Sequence, residues 1–348
     1  MVEQNNEAIA CKNCGSNAVV KFGSYKGVQR YWCKSCKRKF KADDALFHMK
    51  VSHEHISSAL SMYYDGMSIG KICSHLKQEH GYYPPKSVVY QWIDKYTDIA
   101  IKQFKDYHPQ VGDRWVADET VLKVGGHNIW LYDIIDSKTR FLLASRLAVS
   151  RTTHDAQMLM QEAAKKAGKI PKEIITDKNY SYLDGIERAF GADTEHVTSR
   201  GFRVKPNTNL IERWHGTLKD RTKVMRGLKD IESAIHFTDG FLVHYNFFRP
   251  HEALDGKTPA EVAKVDYHIK NWGDLSRIPV SKQAEITTHK TPHVRIATQR
   301  IRKPQTQVRV APSPERKRKP TGDIYTDRHG MISRHPFSGA KAHRGRLI

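Results

Sequence analysis

The spacing of apolar and polar residues divides the N-terminal third of the chain into short strands followed by helices. The segment GSNAVVKFGSYKGVQRYW predicts two short strands, with turns at Gly15-Ser16 and Lys26-Gly27. From residue 52 to residue 96 apolar side chains recur every three or four positions, which indicates helices. The stretches DGMS and GYYPP break this pattern and Ser68 is a good N-cap, so we predict three helices here.

The middle of the chain, residues 113–265, alternates strand and helix patterns. RWVADETVLKV, IWLYDIID and RFLLASRLA are typical of strands, and the turns GGHN and SKT join them into an antiparallel meander. The next segments have the patterns of helix, strand, helix, strand and helix, the last being NLIERWHGTLKDRTKVMRGL. This order is that of the ribonuclease H fold. We therefore predict an α/β protein with a ribonuclease H-like core.

The chain carries a strong excess of positive charge. The 348 residues include 58 Lys and Arg against 37 Asp and Glu, a formal net charge of +21. Residues 281–348 carry +12 and residues 1–50 carry +6. A polyanionic partner fits this balance. We expect nucleic acid rather than membrane, because the sequence has no signal-peptide pattern, long apolar run or basic amphipathic helix. Charge that serves only solubility is the alternative.

Four of the five cysteines form two Cys-x-x-Cys pairs, CKNC and CKSC, which eighteen residues separate. This spacing suits one tetrahedral zinc ion in a zinc ribbon. The four candidate ligands are Cys11, Cys14, Cys33 and Cys36. Disulfide bonds are the alternative, and the missing secretory pattern argues against them. Cys73 lies in an apolar helical pattern, where we expect a buried core residue.

Two basic segments are candidates for DNA contact. Around the second cysteine pair the candidates are Lys37, Arg38 and Lys39. In the third predicted helix, which a helix-turn-helix reader would place in the major groove, they are Lys86, Gln91 and Lys95. A solvated charged loop is the alternative for the first segment, and a plain three-helix bundle is the alternative for the second.

Three carboxylates occupy positions in the predicted core that bring side chains together. Asp118 lies on the first strand, Asp177 ends the fourth, and Glu212 lies near the start of the basic helix. Magnesium or manganese takes oxygen ligands, and a pair of such ions can hold both oxygens of a phosphodiester displacement. Each residue also has an ordinary alternative. Glu119 competes with Asp118, Asp177 could cap a helix, and Glu212 could form a capping box with Asn209.

Residues 113–265 resemble the catalytic core of DDE-type insertion-sequence transposases, which are related to retroviral integrases. The motifs that carry the resemblance are DRWVADET, IITDKNYSY, NTNLIERWHGTLKDRTKVMRGL and HYNFFRPHEALDGKTPAEVA. The resemblance implies that Asp118, Asp177 and Glu212 form a catalytic triad, and that the zinc ribbon and helix-turn-helix recognise DNA ends. On the basic helix, we expect His215, Lys219 and Lys223 to meet DNA phosphates beside Glu212.

The resulting hypothesis is a transposase that binds double-stranded DNA at the ends of its element, cleaves phosphodiesters and joins 3′-hydroxyls to target DNA. A DNA-binding regulator without catalysis and a nuclease that cuts without joining are the alternatives. We expect a homodimer or larger oligomer in the cytoplasm, associated with the nucleoid. The predicted domains are the ribbon (1–50), the helix-turn-helix region (51–106), the core (107–266) and a partly disordered basic extension (267–348).

Overall fold

The computed structural model describes residues 9–25, 27–41, 51–201, 204–225, 227–279 and 282. The predicted basic extension lies largely outside the described residues. Within the described part of the chain, no helix is long and apolar enough to cross a membrane.

The N-terminal segment is a small antiparallel sheet in the order β1-β2-β3. Its strands are β1 (Val19–Tyr25), β2 (Val28–Cys33) and β3 (Lys39–Lys41). The tight connection of β1 to β2 passes through Gly27, whose φ of 75° suits a glycine. One face of the sheet packs Phe40 and Tyr31 against the cysteine pairs, so the two predicted strands are confirmed and a third is added.

Three helices follow, as the apolar periodicity predicts. They are α1 (His53–Tyr64), α2 (Ile69–His80) and α3 (Lys86–Gln103). The Ser68 side chain accepts a hydrogen bond from the backbone N–H of Lys71, and α2 ends at Gly81 in the left-handed region. Cys73 is fully buried, as expected of a core residue.

The central sheet has five strands in the order β6-β5-β4-β7-β8. Its strands are β4 (Arg114–Val124), β5 (His127–Asp136), β6 (Leu142–Ala148), β7 (Glu173–Thr176) and β8 (Glu195–Thr198). The first three are antiparallel, whereas β7 runs parallel to β4 and β8 runs parallel to β7. A meander followed by two parallel strands beside its first strand is the ribonuclease H-like topology, so this prediction is confirmed.

Helices connect and cover the sheet. They are α4 (Thr153–Ala167), α5 (Tyr180–Phe190), α6 (Asn209–Met225) and α7 (Ile231–Val243), followed by a π-helix (His244–Phe248), α8 (Pro259–Val262) and α9 (Trp272–Ser276). Asp136 closes the turn after β5, since its carboxylate accepts hydrogen bonds from the backbone and hydroxyl of Thr139.

The three N-terminal helices and the central sheet share one continuous hydrophobic core. α1 packs against α9, and α3 packs against α7. The hydroxyls of Tyr64 on α1 and Thr97 on α3 are 2.7 Å apart. The Tyr64 hydroxyl and the Thr97 methyl group lie against Gly240 of α7. The boundary predicted near residue 106 is therefore not a boundary of the hydrophobic core.

Candidate active site

Asp118 lies in the middle of β4, opposite Asp133 on β5. Its side chain is 17% exposed, and its Oδ2 lies 3.7 Å from Nδ1 of His215 on α6. Burial raises the pKa of Asp118 to about 7, His215 opposes the rise, and the charges of Glu119 and Asp177 add to it. A buried carboxylate beside two others is poised to accept a cation.

Asp177 directly follows β7, which pairs with β4, so the topology brings it beside Asp118. Its Oδ1 accepts a hydrogen bond of 2.9 Å from the backbone N–H of Asn179. The N-cap of α5 is Asn179 itself, whose side chain accepts from the N–H of Ser181. The helix cap is thus taken by Asn179, and the Asp177 side chain, 40% exposed, is accessible from solvent.

Glu119 is the acidic neighbour that sequence reasoning treated as a rival to Asp118. Its side chain is 2% exposed and pairs with the guanidinium of Arg151, which also lies 3.7 Å from Oδ2 of Asp177. The Arg151 guanidinium stands 4.9 Å from the Trp130 ring centroid. Glu119 therefore already has a cationic partner, whereas Asp118 has only the imidazole. Strand pattern gave no signal for Arg151, because it follows β6 in an irregular segment.

One oxygen from each of Asp118, Glu119 and Asp177 lies within 4.8 Å of the others. Glu212, the third member of the predicted triad, is not part of this group. It is exposed on the first turn of α6 and accepts a 2.9 Å hydrogen bond from the hydroxyl of Thr208. The structure thus brings together two members of the predicted triad and leaves the Glu212 carboxylate turned towards Thr208.

The prediction that His215 meets DNA phosphate is wrong. His215 is 5% exposed, and its Nε2–H donates a 3.0 Å hydrogen bond to the fully buried Asp133. Helix α6 turns His215 towards the sheet, where it lies against Asp118 on β4 and Asp133 on β5, whereas Glu212 and Lys219 are exposed. Lys219 and Lys223 are exposed on the same helix, and Lys223 forms a surface ion pair of 3.1 Å with Asp220.

The site fits a hard divalent cation by the chemistry of its donors. Carboxylate oxygens are the ligands that magnesium and manganese take, and magnesium commonly binds through one or two of them while keeping waters. Asp118 and Asp177 provide two such groups in a partly open position. The residues present therefore fit the metal that sequence reasoning assigned here.

The four paired cysteines form a second group of potential metal ligands. The sulfurs of Cys11 and Cys36 are 3.7 Å apart, those of Cys14 and Cys33 are 3.6 Å apart, and all four lie within 4.8 Å of one another. A disulfide would bring two sulfurs to about 2.05 Å, and all four cysteines are free thiols. Tetrahedral zinc with bonds of about 2.3 Å separates its sulfurs by about 3.8 Å, which matches this cluster.

The other predicted DNA contacts are exposed side chains. Lys86, Gln91 and Lys95 are each exposed on α3, whereas Val89, Trp92 and Tyr96 are buried. Lys37, Arg38 and Lys39 are exposed around the second cysteine pair, and Arg38 donates to the side-chain oxygen of Asn13. These positions are open to a partner.

The middle of the chain is similar in sequence to known proteins. A family model for a DDE domain matches residues 112–251. The transposase of insertion sequence-like element IS431mec from Staphylococcus aureus is 29% identical over 156 residues, covering 42% of this chain and 65% of the relative. The transposase of IS257 in transposon Tn4003, also from S. aureus, is 29% identical over 143 residues, covering 39% of this chain and 59% of the relative. The chain thus spans about two thirds or less of these relatives.

Among solved structures, the HTLV-2 integrase catalytic core domain in complex with magnesium is similar at 18% identity and a TM-score of 0.36, over 45% of this chain and 99% of that one. Residues 112–251, the segment that the family model matches, contain the whole five-stranded sheet, Asp118, Asp177 and Glu212. Residues 112–251 of this chain thus match a model of a DDE domain, and the same part of the chain is similar in sequence to insertion-sequence transposases.

Proposed function

We propose that this protein is a DNA transposase that cleaves phosphodiesters at the ends of its element and joins the freed 3′-hydroxyls to target DNA. The observation that carries the proposal is the meeting of Asp118 and Asp177 at adjacent strands, inside a segment that matches a DDE domain. The excess of positive charge supports a DNA partner.

Both steps of the proposed reaction are in-line displacements at phosphorus. In the first, water attacks and the bond to the 3′-oxygen breaks, which leaves a 3′-hydroxyl on one strand and a 5′-phosphate on the other. In the second, that 3′-hydroxyl attacks a target phosphodiester and another 3′-oxygen leaves. A bound divalent cation supplies Lewis-acid stabilisation of these oxygens. No nucleophilic side chain is needed.

Asp118 and Asp177 would hold the cation, and Glu212 would complete the ligand set. Glu212 lies on the first turn of α6, at the position that the family resemblance assigns to the third acid. Its hydrogen-bond partner Thr208 is the residue before the helix, so a change of side-chain rotamer would release the carboxylate. Lys219 and Lys223, exposed further along α6, would contact DNA phosphates.

The cysteine cluster would hold one structural zinc ion, which stabilises a sheet too small to build a large core. Helix α3 would contact DNA as the reading helix of a helix-turn-helix, through exposed side chains such as Gln91 and Lys95. We propose assembly of at least two copies on DNA, because two element ends have to be processed together. Zinc measured by elemental analysis on the purified chain, at one ion per chain and lost on replacing Cys33 with Ser, tests the ribbon.

The catalytic proposal is tested with a duplex that carries the inverted-repeat end flanking the gene. Purified protein is incubated with this duplex and a plasmid target, with Mg²⁺, Mn²⁺ or EDTA. A transposase yields both cleaved ends and joined products, and only with metal. A nuclease yields cleavage without joining, and a regulator binds the duplex without either reaction. Either of those last results would overturn the proposal.

A further inference from the structure

The ribbon sheet has an inner and an outer face, and its aromatic residues are divided between them. Tyr31 and Phe40 stack on the cysteine side, with ring centroids 5.8 Å apart. Because side chains alternate along a strand, Trp32 and Lys39 point the opposite way. The ribbon therefore presents an outer face that the cysteine cluster does not use.

Two exposed rings stand on this outer face. Phe22 is 41% exposed and Tyr25 is 53% exposed, high values for large aromatic side chains. The pairing of β1 with β2 shifts register between Lys21 and Ser24. This irregularity turns both rings to one side, since the guanidinium of Arg30 lies 5.9 Å from the Phe22 centroid and 5.6 Å from that of Tyr25.

Cationic side chains are interleaved with these rings. The ammonium of Lys39 lies 4.0 Å from the centroid of Phe22 and 5.8 Å from that of Trp32. The Phe22 and Trp32 rings are 6.0 Å apart. We call this set the aromatic–basic face. Its residues are Phe22, Tyr25, Arg30, Trp32 and Lys39.

The positive charge around this face indicates which class of molecule can bind to it. Residues 9–41 contain nine Lys and Arg and no Asp or Glu. A partner must therefore be anionic, and the exposed rings require that it also offer flat apolar surfaces. Nucleic acid has both, but a duplex buries the faces of its bases within its own stack. Unpaired bases present those faces, and aromatic platforms with adjacent cations are how proteins bind single strands.

We propose that the aromatic–basic face binds single-stranded DNA, with bases stacked on Phe22 and Tyr25 and phosphates beside Arg30 and Lys39. The proposal takes from the proposed function only that DNA is the partner. It assigns the ribbon a role other than duplex recognition, at a surface separate from the cysteine cluster. During cleavage and joining of DNA ends, this face would hold a segment of DNA whose bases are unpaired.

The test measures the affinity of the full-length, zinc-containing protein for a fluorescent 20-nucleotide oligothymidine and for a random duplex of equal length. Fluorescence anisotropy is recorded across a salt series without added Mg²⁺, so cleavage plays no part. The double variant Phe22→Leu/Tyr25→Leu keeps apolar side chains and charge but removes the rings. Since each stacked base is worth roughly tenfold in affinity, we expect single-strand binding to weaken at least about tenfold and duplex binding to change less than about twofold.

The salt dependence separates stacking from charge. The double variant removes no cation, so its log–log salt slope should equal that of the wild type. Lys39→Gln should reduce the single-strand slope by about 0.7. Tyr83→Leu is the matched control, because Tyr83 is 59% exposed outside the ribbon, and it should leave single-strand affinity unchanged.

Zinc content and far-UV circular dichroism show whether each variant is folded. If the double variant is not, Tyr25→Leu alone replaces it, with an expected loss of at least about threefold. A folded variant that binds the oligothymidine as tightly as the wild type overturns the proposal. Equal losses for single strand and duplex also overturn it, because they would mark a general DNA surface. Neither outcome depends on cleavage activity. Single-strand binding by the aromatic–basic face can therefore be refuted independently of the proposed transposase activity.

Discussion

The spacing of residues on α6 predicts that His215 contacts a DNA phosphate, but its side chain instead contacts two carboxylates. Its imidazole lies between Asp133, which accepts the hydrogen bond from Nε2–H, and Asp118, whose Oδ2 is 3.7 Å from Nδ1. That second distance is too long for a hydrogen bond. The bond to Asp133 therefore orients the ring, and the ring limits the rotation of the Asp118 carboxylate.

His215→Gln is expected to weaken Mn²⁺ binding about 10–100-fold, since partners that orient a ligating carboxylate commonly contribute that much to metal affinity. The measurement is a Mn²⁺ titration of the full-length protein by electron paramagnetic resonance. Arg213→Gln, on an exposed position of the same helix, should bind Mn²⁺ as the wild type does. A His215→Gln protein that loses DNA affinity but keeps Mn²⁺ affinity would restore the phosphate-contact prediction.

His244 carries a prediction for acid stability. Burial, with the charges of Arg249 and His251, lowers the pKa of His244 to about 3, and its Nδ1 accepts a 3.3 Å hydrogen bond from Trp272. The unfolded chain takes up this proton near the ordinary pKa of 6.5. His244 therefore stabilises the fold fully above pH 6.5, and this contribution is lost as the pH falls towards 3.

The predicted effect is a slope of up to about 1.4 kcal/mol per pH unit from this one group. His244→Asn should flatten the dependence of unfolding free energy on pH between 6.5 and 4, as measured by urea unfolding. His127→Asn, at an exposed position, should leave that slope as in the wild type. Parallel curves for wild type and His244→Asn would contradict the assignment.

At the scale of elements, the approach of α7 to α1 and α3 depends on Gly240. A Cβ at this position would collide with the methyl group of Thr97 and lie 2.5 Å from the hydroxyl of Tyr64. Those two side chains are hydrogen-bonded to each other and buried, so they have little room to move. The glycine lets α1 and α3 pack closely against α7.

Gly240→Ala is expected to destabilise the protein by about 1–3 kcal/mol through overpacking. Gly216→Ala is the matched control, because Gly216 is also inside a helix but has nothing within 4 Å of an added Cβ. It should stabilise by about 0.5–1 kcal/mol through helix propensity. Thermal unfolding of both variants gives the comparison, and equal melting temperatures for the two would refute the packing argument.

The strands and helices of the core could be predicted because their apolar periods are clear and their turns carry glycine or capping residues. Asp118 and Asp177 could be placed together because topology alone joins β4 to β7. The ion pair of Glu119 with Arg151 could not be predicted from the sequence. It depends on the directions of two side chains, one of which follows β6 in an irregular segment. The buried side of α6 could not be predicted either. The helical period shows which residues share a face, but it does not show which face packs against the sheet.

The continuous hydrophobic core joins the helix proposed to read DNA to the proposed active site. Helix α3 packs on α7, which follows the helix that carries Glu212, so both proposed sites are built on the same core. The sequence does not predict this packing, because an apolar face of a helix does not show which other element packs against it.

In the proposed active site, Asp118, Asp177 and Glu212 act together as ligands of the catalytic cation. The most direct measurement is the single-turnover rate of end cleavage for Asp118→Asn, Asp177→Asn, Glu212→Gln and Glu119→Gln, with DNA binding and melting temperature as controls. The first three should lose cleavage by at least about 10³-fold while binding DNA, since each removes a ligand of the cation that supplies the Lewis-acid chemistry. Glu119→Gln should retain cleavage, because Glu119 is paired with Arg151. Near-normal cleavage by Glu212→Gln, with cleavage abolished in Glu119→Gln, would contradict the account and make Glu119 the third acid.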